Sequence, residues 1–329
     1  MIPATQRGTV VAGLCVDFGS REQPTRIVRD ATFTIAPGTT LGLVGESGSG
    51  KSTIGAALIG LLAPGLRMTG SVALDGTELI GRDETELAAI RGTEVATVFQ
   101  NPFRALNPSI RVGAQIAEAM VVHGLATKDE ARERAIELLA ETGLPKPATA
   151  ARAYPHELSG GMLQRAVIAL AVSCEPALLV ADEPTTALDA RVQARILDLL
   201  DRLVAEREMA MLLISHDLGV VAKLAQQVAV IYSGTIVEYG PTESLLTAPR
   251  HPYTQALLAA WPRVDADRSR RLRTIDGPAA PATSKLAGCR FASRCPFALE
   301  RCRKETPVLE PPEGHSAACW VANAPQGAL

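Results

Sequence analysis

The sequence predicts an α/β fold: a mixed sheet core with a helical subdomain, followed by a small cysteine-containing C-terminal extension. Three observations carry that expectation. Short apolar runs at 41–44, 95–99, 177–181 and 212–214 have the length and continuity of strands buried on both faces. Longer amphipathic stretches at 128–142, 163–173 and 192–207 lie between them at helical spacing. From Arg263 the composition shifts toward arginine, proline, glycine and cysteine.

With 329 residues, 47% of them apolar, the chain can bury one large domain or a main domain plus a smaller one. Aromatic residues are only 4%, which argues against a surface built to stack bases. A net charge of −2 provides no field favouring nucleic acid or anionic lipid. No run approaches the roughly 18 consecutive apolar residues of a spanning helix. The first residues lack the basic-then-apolar plan of a signal peptide, so a soluble, cytoplasmic chain is expected. In that compartment disulfides are disfavoured, and the crowding of Cys289, Cys295, Cys302 and Cys319 near the end points to metal before bridges. Cys15 and Cys174 read as small core residues.

In chain order, Phe18 ends an early strand and 19–25 reads as an inserted turn. After the apolar run at 41–44 comes Gly45-Glu46-Ser47-Gly48-Ser49-Gly50-Lys51-Ser52, with Thr53 opening a helix over 53–62. Strand, glycine-rich loop and helix in that order form a cradle whose backbone N–H groups and helix N-terminus take phosphates. Lys51 is expected on the β/γ oxygens and the Ser52 hydroxyl on Mg²⁺. Residues 70–92 read as a strand, an Asp75-Gly76 turn and a short helix. The strand at 95–99 ends in Gln100, whose amide can reach both Mg²⁺ and a water. A turn-rich stretch, 101–113, precedes a helix to Val122, and the helix at 128–142 stops at Gly143. Leu158-Ser159-Gly160-Gly161-Met162 opens the next helix, with Ser159 as N-cap and two glycines leaving the first N–H groups uncovered, a second anion site. The strand at 177–181 ends in Asp182-Glu183-Pro184; the first carboxylate suits the metal shell and the second a water. Asp189 follows within a turn, and the strand at 212–217 brings His216 to its end. Strands at 228–232 and 235–239 complete the core.

In order, spacing and strand context, residues 45–52, Gln100, 158–162, Asp182–Glu183, Asp189 and His216 resemble an ATP-binding cassette (ABC) ATPase. The resemblance implies a P-loop NTPase fold over residues 1–262, with the helical subdomain at about 101–175 and the extension at 263–329. Carried over match by match, it implies catalytic roles for Glu183, His216 and Gln100. It implies nucleotide contacts from Gly45, Glu46, Ser47, Gly48, Ser49, Gly50, Lys51, Ser52 and Thr53, with Phe18 as the candidate adenine-stacking aromatic, or else a buried strand residue. Mg²⁺ falls to Ser52, Gln100 and Asp182. The signature Ser159, Gly160, Gly161 and Met162 serves the opposite subunit's ATP, because cassettes in this family pair head-to-tail, and Asp189 belongs to the D-loop. Met162 replaces the glutamine that many members carry, which removes an amide near the ribose and leaves the serine and glycine donors.

Residues 183–189, 251–258 and 288–296 narrow the resemblance to the ATPase subunits of oligopeptide, dipeptide and nickel importers, D-type partner of a D/F pair. That resemblance implies ATP hydrolysis coupled to import. It implies a second ABC ATPase subunit (an F-type paralogue, otherwise a second copy), two transmembrane permease subunits, an extracytoplasmic binding protein and no nucleic acid. The location implied is the cytoplasmic face of the membrane. Di- or oligopeptide is the expected cargo, with nickel, glutathione or another small solute as alternatives. A soluble ABC ATPase acting on DNA or the ribosome would need tandem cassettes or a large insertion, and a small-molecule kinase would leave 158–162 and His216 without purpose. In the tail, Arg268, Arg270, Arg271 and Arg273 read as a solvated face and 277–282 as a linker. The spacing C-x5-C-x6-C-x16-C lacks the paired knuckles of common zinc modules. Four thiolates suit a [4Fe–4S] cluster, a zinc ion, or no ligand at all, with His315 as an outside candidate.

Overall fold

The computed structural model describes residues 7–20, 24–186, 188–261, 274–284, 286–309 and 314–322. The arginine cluster at 268–273 and Ala187 lie outside these residues. Strands β1 (Thr9–Phe18) and β2 (Thr25–Ile35) form an antiparallel pair, and β3 (Thr40–Val44) leads through the glycine loop into helix α1 (Lys51–Leu58). An antiparallel edge follows in β4 (Leu66–Leu74) and β5 (Thr77–Glu78), then α2 (Glu84–Ile90), capped at both orphan N–H groups by an Asp83/Glu86 capping box. After β6 (Val95–Val98) the chain leaves the sheet for α3 (Pro102–Ala105), α4 (Val112–Val122), α5 (Lys128–Glu141), α6 (Pro147–Arg152) and α7 (Gly160–Ala171). It returns as β7 (Leu178–Asp182), α8 (Ala190–Glu206), β8 (Ala210–Ser215), α9 (Leu218–Leu224), β9 (Gln227–Tyr232) and β10 (Thr235–Pro241). Helices α10 (Thr242–Thr247) and α11 (Pro252–Ala260), then α12 (Glu300–Lys304) and the short strand β11 (Ser316–Ala317), finish the described chain.

The sheet runs β5-β4-β1-β2-β10-β9-β3-β8-β7-β6, with β11 pairing β10. Four strands, β3, β8, β7 and β6, are mutually parallel, and β9 is parallel to β3. Every residue of β3 and β8 is buried, so their uninterrupted apolar sequence is what a central parallel strand requires. The pleat divides β8 between two cores. Leu212 and Ile214 join Ile54 and Leu58 of α1 on one side, whereas Met211 and Leu213 join Ile196 and Leu200 of α8 on the other. The second core continues without a break into the helical subdomain through Val112 and Ile116 of α4, Leu138 of α5 and Leu163 of α7.

The extension is docked rather than tethered. Residues 277–282, expected as a linker, lie on the cassette. The Arg290 guanidinium donates to the carbonyls of Pro281, Ala282 and Ser284 and to Ser233 Oγ, and Arg29 also donates to Ala282 O at 2.8 Å. Phe291 packs edge-on to Tyr232 of β9 and tilted to Tyr253 of α11, ring centroids 5.3 and 5.4 Å away. Glu238, fully buried, accepts from the backbone of Arg250 and His251 and from His315 Nε2, which ties β10, α11 and β11 together. His315 is therefore committed to Glu238.

Candidate active site

The phosphate loop turns sharply because Gly48 and Gly50 take φ of +75° and +106°, conformations that a side chain would strain. A Cβ at Gly45 would overlap the carbonyl of Ile231, so the loop can sit directly against β9 only with glycine there. Helix α1 begins at Lys51 with no side-chain cap, leaving its first N–H groups for a ligand. Ser49 Oγ is buried in this cradle without a partner. Lys51 is itself buried, and its Nζ donates to the carbonyls of Gly45 at 2.7 Å and Glu46 at 3.0 Å. Burial lowers the Lys51 pKa, against which the charges of Glu183, Asp182 and Glu46 act to keep the ammonium form.

Two carboxylates close the opposite wall. Asp182, at the end of β7, accepts from the Ser52 hydroxyl; burial and the neighbouring Glu183 push it up, whereas Ser52 and Lys51 hold it down, with a net rise. Glu183 follows at φ +49°, an unusual backbone for a glutamate that aims its side chain back across the strand ends. Its carboxylate accepts from Gln100 Nε2 at 2.7 Å, from Thr186 Oγ1 at 3.0 Å, and lies 3.0 Å from His216 Nδ1. Burial raises the Glu183 pKa, but the hydrogen bonds from His216 and Thr186 and the charges of His216 and Lys51 outweigh it and hold the group below the usual range. Gln100, Glu183 and His216, 83 and 33 residues apart along the chain, thus form one web at the ends of β6, β7 and β8. Open α/β sheets collect ligands at this strand edge.

A second group stands apart. Ser159 caps α7 by accepting from Met162 N at 3.4 Å, and Asp189 caps α8 by accepting from Arg191 N and Val192 N. A Cβ at Gly161 would come within 2.7 Å of Val192 Cγ1, so the two helix starts approach closely only with glycine there. Ser159, Gly160, Gly161, Met162 and Asp189 line one open depression that no phosphate-loop residue borders. Phe18, at the end of β1, leaves its ring 53% exposed beside Gly65.

Sequence reasoning missed three groups here. Thr186, which bonds Glu183, lies in the same turn and could have been found from that proximity. Arg294 and Tyr253, which grip Glu46, lie in the segments 288–296 and 251–258 that narrowed the resemblance, but 207 or more residues from Glu46, so nothing local showed what they grip. Glu46, expected to contact nucleotide, spends its carboxylate on Arg294.

The thiols of Cys289, Cys295, Cys302 and Cys319 border one small enclosed space with His251 and Phe291. All are free, and His251 Nε2 is buried there without a partner. Burial pushes the Cys289 thiol up to about 11, and raises Cys295 and Cys319 as well. Soft donors in this number suit iron–sulfur or zinc chemistry. Among the described residues, however, no three His, Cys, Asp or Glu side chains converge as a metal site does.

A glycine cradle ahead of a helix, a buried lysine on it and two carboxylates at the next strand end define a P-loop nucleotide-binding protein. Comparison with known proteins takes this further. The ABC transporter profile matches residues 28–186, and that of the oligopeptide/dipeptide transporter C-terminal region matches 237–302. The dipeptide transport ATP-binding protein DppD of Escherichia coli is 45% identical over 297 residues, 90% of each chain. A putative peptide import ATP-binding protein of Brucella melitensis is 45% identical over 311 residues, 91% of this chain and 92% of its own. Among solved structures, the dimeric cassette MJ0796 in a post-hydrolysis state with ADP and Pi superposes with a TM-score of 0.63 at 26% identity, covering 71% of this chain and 98% of that one. The chain belongs to the ABC transporter family, as an ATP-binding subunit carrying the oligopeptide/dipeptide-type C-terminal region. It is an ATPase, ATP its substrate and Mg²⁺ the metal that ABC ATPases use. Among the described residues no helix is long and apolar enough to cross a membrane.

Proposed function

We propose that this chain is the ATP-hydrolysing motor of a membrane importer of di- or oligopeptides, working at the cytoplasmic face as one half of a pair of cassettes. The observation that carries the catalytic half is the web on Glu183, which holds one ionised carboxylate between an amide and an imidazole beside Lys51. Lys51 and the amides of 45–53 bind the triphosphate, and Ser52, Asp182 and Gln100 hold Mg²⁺, which neutralises phosphate charge. Glu183 polarises the attacking water, Gln100 and His216 orient it, and His216 donates toward the γ-phosphate. In the partner's site the Ser159 and Gly161 N–H groups face the other triphosphate, with Asp189 at the seam. Support for the pairing comes from the separate depression around Ser159 and from the dimeric form of the MJ0796 cassette. The partner is an F-type paralogue, and the pair drives two permease subunits fed by an extracytoplasmic binding protein. Peptide cargo rests on the names of the relatives. In this reading the four terminal cysteines are the donors available to a [4Fe–4S] cluster or a zinc ion, which they would have to draw together to bind, and otherwise they pack as free thiols; residues 263–329 form the C-terminal module.

Glu183→Gln tests the catalytic assignment. It should bind ATP at near-native affinity while steady-state hydrolysis falls by about a hundredfold or more. Normal turnover in that variant would remove Glu183 from the mechanism.

A further inference from the structure

Glu46 is gripped at all three of its polar groups, and two of the grips come from outside the cassette's motif. Its carbonyl accepts from Lys51 Nζ at 3.0 Å. Its N–H donates to Tyr253 Oη at 2.9 Å, a buried hydroxyl on α11. Its carboxylate takes a two-pronged ion pair from Arg294, Nη1 to Oε2 at 2.8 Å and Nη2 to Oε1 at 3.1 Å. The Arg294 side chain is only 5% exposed. Every remaining direction of its guanidinium is also used: Nε donates to Asp276 O, Nη2 to Ile275 O and Nη1 to Tyr232 Oη, and the plane lies near the Tyr232 and Phe291 rings. A guanidinium fixed on five sides has one orientation, so the carboxylate it pairs with has one too.

We propose that Arg294, delivered by the C-terminal extension, is a positioning residue for ATP hydrolysis. It acts through Glu46: the ion pair cancels, at the entry of the phosphate loop, a carboxylate charge that would otherwise repel the incoming triphosphate. The extension is therefore part of the nucleotide site's support. The inference rests on the reading of residues 45–52 as the phosphate loop.

ATPase kinetics of the full-length chain in its assembled transporter, with four variants, provide the test. Arg294→Met keeps the stem but leaves Glu46 charged, and should raise KM for ATP by about tenfold with a smaller fall in kcat. Arg294→Lys keeps the charge without the fork, and should raise KM only about threefold. Glu46→Gln leaves an uncancelled cation beside the phosphates and should lower KM by about twofold. The charge-neutral double variant, Arg294→Met with Glu46→Gln, should return KM to within about threefold of native. A pin of purely structural importance would make the double variant at least as poor as Arg294→Met, and that result overturns the proposal. So does an unchanged KM in Arg294→Met. If Arg294→Met does not fold, the lysine and glutamine variants decide: KM moving in the same direction in both contradicts the charge argument. Lys51→Ala separates the two layers. Its loss of hydrolysis with a silent Arg294→Met sinks only this inference, whereas normal hydrolysis in Lys51→Ala sinks the phosphate-loop reading beneath it.

Discussion

At Glu183 the chain accepts a backbone angle of φ +49° to place a carboxylate among three hydrogen-bonding neighbours. Burial alone would favour the protonated form; the donors keep it ionised, which is the state a water-polarising group needs. Thr186 is the donor most easily removed. Thr186→Val takes one hydrogen bond from the ionised form, so the Glu183 pKa rises. A base is active above its pKa, so the acid limb of kcat should move to higher pH, while kcat at neutral pH, where Glu183 stays ionised, should change little. A kcat profile superposable on the native one would show that Thr186 plays no part. Residue types and strand-end positions made Gln100, Asp182, Glu183 and His216 legible in the sequence because they follow a phosphate loop in a recognisable order; a lone strand-end histidine would by itself more often be structural. Their mutual contacts were not legible, since only the strand order brings β6, β7 and β8 side by side.

Secondary elements divide along the same line. The strands β3, β7 and β8 announced themselves as unbroken apolar runs because both of their faces are covered. Helix α5 was readable from its amphipathic periodicity and the Gly143 that stops it, whereas the Thr127/Glu130 capping box that opens it emerged only in the structure. Residues 277–282 were misread as a linker, since their small side chains show no core of their own. What binds them is backbone carbonyl to guanidinium, and one of those arginines lies some 250 residues earlier. The cysteines of the extension share one small space but do not converge on a point. Anaerobically isolated protein should show a broad absorbance near about 400 nm that disappears in Cys289→Ser and Cys302→Ser. Stoichiometric zinc with no such band would replace the cluster by the competing ion, and neither metal would leave the four as packed thiols.

Among the described residues, the starts of α1 and α7 both offer N–H groups to an anion, and of these two the start of α1 faces the carboxylates. The start of α1 opens onto Lys51, Asp182 and the Glu183 web, whereas the start of α7 opens onto its own depression with Asp189. The extension reaches back to the first of these through Arg294, whereas no residue of 45–52 lines the depression at the start of α7. A division of this kind makes sense when each triphosphate is shared between two subunits. Vanadate trapped with ADP and Mg²⁺ in place of the leaving phosphate, then photolysed, cleaves the backbone it touches. In an assembled transporter pairing Lys51→Ala of this chain with a native partner cassette, cleavage should vanish at residues 45–52 of this chain and persist at 159–161. Loss of cleavage at both segments together would mean that the signature serves its own chain's nucleotide, and would contradict the account.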